Sequence, residues 1–283
     1  MIPYFHLLVL HLGPIPIQVW GLFVALGILA GAFASAWMAK RRGQDPNLIW
    51  DLTFWVIIGA MIFARLFHIV YEPSFYLNSP IELLKFWNGG MSVMGGFIGS
   101  VLFGILFLRK RHVDIWSYTD SAIFGLPIGL FIGRIGCFLL HEHPGRFTNF
   151  FLGVKYPDGV RHDLGLYLSL NGLIMFGLFL LLARRNAKVG TYLVTFLIWK
   201  GTVRFLLDFL RATNGPIVDV RYFGFTPAQY VAVIMVVFGF WFLVNSLRPR
   251  LCHVAGNNDD SSLARRHDIS EADKTCQKLS KKN

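Results

Sequence analysis

Charge is scarce in this chain. Only 15% of its 283 residues are Asp, Glu, Lys or Arg, whereas a soluble domain carries about 25% to clothe its surface. Much of the surface therefore faces something other than water, and lipid is the medium that accepts it. Cysteine is nearly absent. Cys137, Cys252 and Cys276 are too few and too scattered for a disulfide framework or a metal-binding module. No internal repeat is visible, which argues against a transporter built from duplicated halves. The first residues have neither a basic run nor a small-residue cleavage site, so no removable signal peptide is expected. Acidic groups are outnumbered, giving a net charge of +11. The basic residues sit in short clusters between apolar runs, not on a soluble face with interleaved aromatics, and this excludes nucleic acid as a partner.

What remains is apolar. Hydrophobic residues make up 54% of the chain, and mean hydropathy is +0.52. A helix needs about 20 such residues to cross a hydrocarbon core of about 30 Å. Seven stretches qualify: residues 17–38, 50–71, 91–108, 115–140, 166–183, 191–210 and 227–247. None alternates as a barrel strand would. The expectation is an all-α integral membrane protein of about seven transmembrane helices. Lys40, Arg41, Arg42, Arg109, Lys110, Arg111, Arg184, Arg185, Lys188, Arg248 and Arg250 cluster after spans one, three, five and seven. By the positive-inside rule those loops are cytoplasmic, which puts the N-terminus outside and the C-terminus inside.

Three units follow. Residues 1–16, with Pro3, Pro14 and Pro16, form an outer interfacial segment; residues 17–247 form the membrane domain; residues 248–283 form a cytoplasmic tail whose polar, charge-mixed end is expected to be disordered. On the outer side, residues 80–87 form an amphipathic stretch suited to the interface. Residues 141–165 form a polar arm containing His141, Glu142, His143, His162 and Asp163, without an established metal-ligand spacing, so no metal is expected. Thr226, Pro227 and Gln229 read as N-cap, N1 and N3 of the last helix.

Charged residues inside the spans are the informative ones, because each costs about 2.5–3.5 kcal/mol at a helix centre. Arg65, Asp120, Arg134, Lys200, Arg204 and Asp208 all fall in or near a span. Snorkelling to a helix end suits Arg65 and Asp208; it does not suit Arg204, near the middle of its run. Lys200, Arg204, Asp208 and Arg211 are spaced by four, four and three, and so share one helical face. Arg204 and Asp208 can pair, leaving a positive stripe. In span four, Gly125, Gly129 and Gly133 recur every four residues, which permits close helix approach, and Arg134 follows directly. Two guanidinium groups on neighbouring helices would clamp a phosphate in a planar, forked geometry that lysine lacks. Paired glycines open span three in Gly89-Gly90-Met91-Ser92-Val93-Met94-Gly95-Gly96, where the backbone can approach a ligand or a helix.

These residues resemble the prolipoprotein diacylglyceryl transferase family of bacteria. The matching pieces are Ala64-Arg65, Trp87 through Gly96, Gly133-Arg134-Ile135-Gly136, Glu142 with Gly145-Arg146, Arg161-His162 with Tyr167, and Gly201 through Arg211. They occur in the family's order across roughly residues 15–247. The resemblance implies a cytoplasmic (inner) membrane enzyme that uses no cofactor. It would transfer a diacylglyceryl group from phosphatidylglycerol to the lipobox cysteine of a preprolipoprotein, releasing glycerol phosphate. It also implies that Arg134 and Arg204 hold the lipid phosphate with Gly95, Gly96, Glu142 and Gly145, and that Asp208, in place of the family's glutamate, orients Arg204. The chain departs from the family at Met94 (commonly histidine), Cys137 (asparagine), Lys200 (often tyrosine) and Leu168 (glutamate). Lys200 or an arm histidine such as His162 is then expected to help ionise the substrate thiol, unless the electrostatic field itself suffices. The alternative is an altered member that binds phospholipid without turnover, or one that uses another acceptor.

Overall fold

The structure is a computed structural model that describes residues 1–12, 15–78, 90–212 and 221–256. The amphipathic stretch at 80–87, Gly89 and the tail from 257 onward lie outside the described residues. Among the described residues nine helices are assigned: α1 (Val19–Arg41), α2 (Pro46–Tyr71), α3 (Pro73–Asn78), α4 (Val93–Lys110), α5 (Ile115–Phe124), α6 (Leu126–Leu140), α7 (Leu164–Arg184), α8 (Thr191–Asp208) and α9 (Pro227–Gly256). Six spans are long and apolar enough to cross a membrane, with α5 and α6 together forming one of them. The seventh expected span, α8, carries Lys200, Arg204 and Asp208 within its 18 residues, and this charge load separates it from the other six. Helix α9 continues beyond the expected end at residue 247 to Gly256, since backbone hydrogen bonding outlasts the hydrophobic run that defines a span.

Strands are also present, so the all-α expectation is corrected. β1 (Ile2–Pro3), β4 (Pro144–Phe147), β5 (Val154–Tyr156) and β6 (Gly159–Asp163) form one sheet in the order β1-β5-β6-β4, and β2 (Val9–Leu12) pairs antiparallel with β3 (Ile15–Gln18). The first strand runs parallel to β5, about 150 residues away, a pairing no local pattern announces. The beginning of the chain thus joins the arm in one small cap over the end of α6. Tyr4 stacks on His141 at 4.9 Å and Phe5 meets Phe138 at 5.6 Å.

Glycine decides the helix packing. A Cβ at Gly27 of α1 would lie 2.6 Å from the Gly129 carbonyl oxygen of α6, and one at Gly129 would lie 2.9 Å from that of Gly27. The expected small-residue seam of span four therefore packs against a matching seam on α1, while Gly133 meets nothing within 4 Å. Gly59, Gly95 and Gly99 join α2 to α4 in the same way. The two pairs meet at one end through a buried cluster of Ala36, Ala39, Ile49, Leu52, Phe107, Leu108 and Tyr118.

The same end holds the expected cytoplasmic basic loops. Arg42 donates to the Ala187 carbonyl at 3.3 Å and to Asp120 at 2.9 Å. Asp120 is fully buried and also accepts from the Leu193 amide at 2.8 Å, so it fastens three segments together. Arg65 does not snorkel; it is buried, and its guanidinium donates to the Gly90 carbonyl at 2.9 Å, ahead of α4. Removing one partner of a buried ion pair costs about 3–5 kcal/mol. Asp120→Ala is therefore expected to lower the thermal midpoint in detergent by roughly 10 °C, read by circular dichroism; an unchanged midpoint would show that Asp120 fastens nothing.

Candidate functional site

A cavity of about 730 Å³ lies between the two helix pairs. Along α1 it is lined from Trp20 to Ser35, a rise of about 22 Å at 1.5 Å per residue. Most of its wall is apolar, with Val24, Ile28, Ile49, Leu52, Val56 and Ile57 facing it. Charge is confined to the end next to the cap, where Arg134, Glu142, His143, Arg204 and Arg211 line it. The shape and polarity match an amphiphile: a polar head at one end and a long apolar body.

The polar end is built from three directions. Arg134 comes from α6, one residue beyond Gly133, whose open face leaves room for the cavity. Its guanidinium lies 3.9 Å from Cys137 Sγ, and among the described residues no carboxylate is within ion-pair distance of it. Arg204 and Arg211 come from α8 and the turn after it. Arg204 lies 3.1 Å from Asp208 Oδ1 and Arg211 lies 3.8 Å from the same oxygen. Asp208 is completely buried, which corrects its expected snorkelling. Its other oxygen accepts from the Thr226 hydroxyl. Thr226 and Gln229 form the expected capping box, the Gln229 side chain accepting from the Thr226 amide at 2.9 Å and the Thr226 hydroxyl accepting from the Gln229 amide at 3.3 Å. Asp208 is thus held by the positive end of α9 and shared between two arginines. Three guanidinium groups and one carboxylate, Glu142, line the cavity itself.

The third direction is the arm. Gly145 forms a bridge with Arg211, and the Arg146 amide donates to the Leu210 carbonyl at 2.8 Å. A Cβ on Gly145 would lie 2.6 Å from the Leu210 oxygen and 2.8 Å from His162 Cβ. Glycine here is a requirement of close approach, and the latch brings Glu142 and His143 against the arginines.

Of the residues for which the resemblance implied a catalytic or phosphate-binding role, the cavity gathers Arg134, Arg204 and Glu142. Asp208 stands behind them, and half-buried Lys200 lies within electrostatic range of Arg134 and Arg204 without lining the cavity. His162 is elsewhere, bonded to the Tyr167 hydroxyl at 2.7 Å, and burial holds its pKa below the usual histidine value. Gly95 and Gly96 face α2, and Gly145 faces α8; none of the three lines the cavity. Leu168 and Cys137 do line it, whereas Met94 is exposed outside it. His141 is structural: it is buried and bonded to Asp163 at 2.7 Å, and Asp163 also accepts from Tyr156 at 2.8 Å and caps α7 through the Leu166 amide. Arg211 and His143 complete the site. Arg211 was visible on the charged face of span six; His143 was one of three arm histidines, with no local signal to set it apart.

An amphiphile-shaped cavity with arginines at its head marks a membrane protein that handles an anionic lipid. Comparison with known families makes this specific. The model of the prolipoprotein diacylglyceryl transferase family matches residues 7–245, and the chain belongs to that family. It is 32% identical to the phosphatidylglycerol–prolipoprotein diacylglyceryl transferase of Synechococcus elongatus, over 81% of this chain and 83% of that protein. It is 29% identical to those of Staphylococcus xylosus, over 83% and 87%, and Bacillus cytotoxicus, over 86% and 93%.

The latch makes its own prediction. A valine at position 145 cannot fit 2.6 Å from the Leu210 oxygen. Gly145→Val is expected to release the arm, so that limited proteolysis between β4 and β6 speeds up at least tenfold while helical circular dichroism is kept. Equal cleavage rates in variant and parent would refute the latch.

Proposed function

We propose that this chain transfers a diacylglyceryl group from phosphatidylglycerol to the lipobox cysteine of a preprolipoprotein and releases glycerol phosphate. It does so in the bacterial cytoplasmic membrane, with the N-terminus and cap outside and the C-terminus inside. The observation that carries the reading is the placement of Arg134, Arg204 and Arg211 at one end of an otherwise apolar cavity. The lipid phosphate would take the arginine end and the acyl chains the 22 Å slot beside α1. The orientation is supported by the basic loops gathered at the opposite end of the bundle from the cap.

In this scheme the substrate supplies the nucleophile. A thiolate attacks the glycerol carbon that bears the phosphoester oxygen; a C–S bond forms, the C–O bond breaks, and glycerol phosphate leaves with the electron pair. Negative charge grows on the leaving phosphate, where Arg134 and Arg204 stabilise it before water can intervene. Arg204 is aimed by Asp208, and Lys200 adds to the positive field. Glu142 faces the glycerol hydroxyls of the headgroup, while Gly95, Gly96 and Gly145 serve by letting backbones approach, which sets the width of the site.

One feature favours a second reading. Leu168, on the cavity wall and almost wholly buried, cannot move a proton, which suits a member that binds phospholipid without turnover. Labelled phosphatidylglycerol offered with a lipobox peptide separates the two. Label on the peptide only when its cysteine is present supports transfer; retained lipid with no labelled peptide supports binding alone. Because a forked guanidinium is needed, Arg134→Lys and Arg204→Lys are each expected to lose about a hundredfold in transfer. Full activity in either would remove that arginine from the clamp. Lys200→Met with unchanged transfer would likewise remove Lys200.

A further inference from the structure

The transfer needs a proton acceptor for the thiol, and the residues expected to provide one are poorly placed. His162 is bonded to Tyr167 away from the cavity, and Lys200 does not line it. Among the described residues His143 is the histidine on the cavity wall. Its backbone is fixed on both sides, following the end of α6 and preceding the β4 latch, and its carbonyl accepts from the Leu164 amide at 3.3 Å. Its ring has no hydrogen-bond partner among the described residues; it shares the cavity wall with Arg134 from α6, Arg204 from α8 and Arg211 from the turn after it, and Asp163 from β6 is within electrostatic range.

We propose that His143 is the general base of the reaction, accepting the lipobox thiol proton on the cavity wall it shares with the arginine cluster. This rests on the transferase reading above. In the empty site burial and then the neighbouring arginines push the imidazole pKa down to about 4, so the ring is neutral and available but weakly basic. A phosphodiester seated among the arginines cancels part of their charge and raises the affinity of the ring for a proton. The remaining positive field meanwhile favours the thiolate over the thiol, whose ordinary pKa is about 8.5. The proton moves from Sγ to an imidazole nitrogen, the thiolate displaces glycerol phosphate, and the imidazolium returns its proton to the departing phosphate oxygen. Nothing else is consumed. Base strength arises only in the lipid complex, so a free water or thiol in the empty site is not activated.

The test compares His143→Gln with the parent enzyme, using phosphatidylglycerol and paired lipobox peptides that carry either cysteine or selenocysteine, whose selenol is already ionised at neutral pH. With the cysteine peptide the variant is expected to lose about a hundredfold in kcat, while binding of labelled phosphatidylglycerol is unchanged. With the selenocysteine peptide most of that loss should vanish, an outcome that a merely structural role for His143 would not produce. In the parent enzyme the acid limb of kcat should lie well above that of kcat/KM for the lipid, because the first reports the lipid complex and the second the free enzyme. Equal loss with both peptides, or no loss with either, overturns the role of His143. No transfer by the parent enzyme itself overturns the transferase reading, and this proposal with it.

Discussion

Everything at the polar end of this molecule depends on Asp208. A guanidinium ion held among helices loses its hydration, and a buried charge persists only where something compensates for it. Asp208 compensates Arg204 and Arg211 together. It is itself held in place by the Thr226 hydroxyl at the N-terminal end of α9. One carboxylate lies between two arginines, 3.1 Å from one and 3.8 Å from the other, and among the described residues the positive groups here outnumber the negative. Arg134, with no such partner among the described residues, adds to the surplus. Among the described residues the site is therefore richer in positive than in negative groups, which is what the proposed binding of an anion asks of it.

That surplus is useful only because the surrounding helices leave room for a lipid. Close glycine contacts hold α1 to α6 and α2 to α4, and the two pairs join at the end remote from the cap. Between them the wall is apolar for the length of an acyl chain. The same glycine chemistry works once more at Gly145, where a strand of the arm is pressed against the end of α8. There it supplies no ligand; it sets how near the arm's own polar residues come to the arginines.

Spans, the charged face of α8, the seam of α6 and the capping box of α9 were legible because each has a local period or spacing. Arg134 and Arg204 stood out for the same reason: an arginine inside an apolar run is expensive wherever it sits. What could not be read was long-range. The sheet joins residue 2 to residue 154, and no window spans that distance. The three arm histidines look alike in sequence, yet His141 pairs with Asp163, His162 with Tyr167, and His143 faces the cavity. Their fates are decided by the Gly145 latch and the cap, which are tertiary features. Likewise Gly95 and Gly96 face α2, and a glycine pair carries no mark in sequence that distinguishes a helix neighbour from a ligand.

The charge sequence of the proposed reaction explains why such a cluster suits a thiol acceptor. The cavity begins with two more positive than negative groups on its wall. A phosphodiester removes one unit of that excess; passing the thiol proton to the imidazole then leaves the total unchanged and sets a thiolate beside an imidazolium within the remaining positive field. Either anion alone leaves the site positive, and a proton on His143 beforehand would make it more so. Such a site favours lipid before thiolate, because the phosphodiester is negative at any physiological pH while the thiol becomes so only in the field the arginines provide. The order of events is thus set by where the charge surplus stands, and that surplus is fixed by a single shared carboxylate behind it.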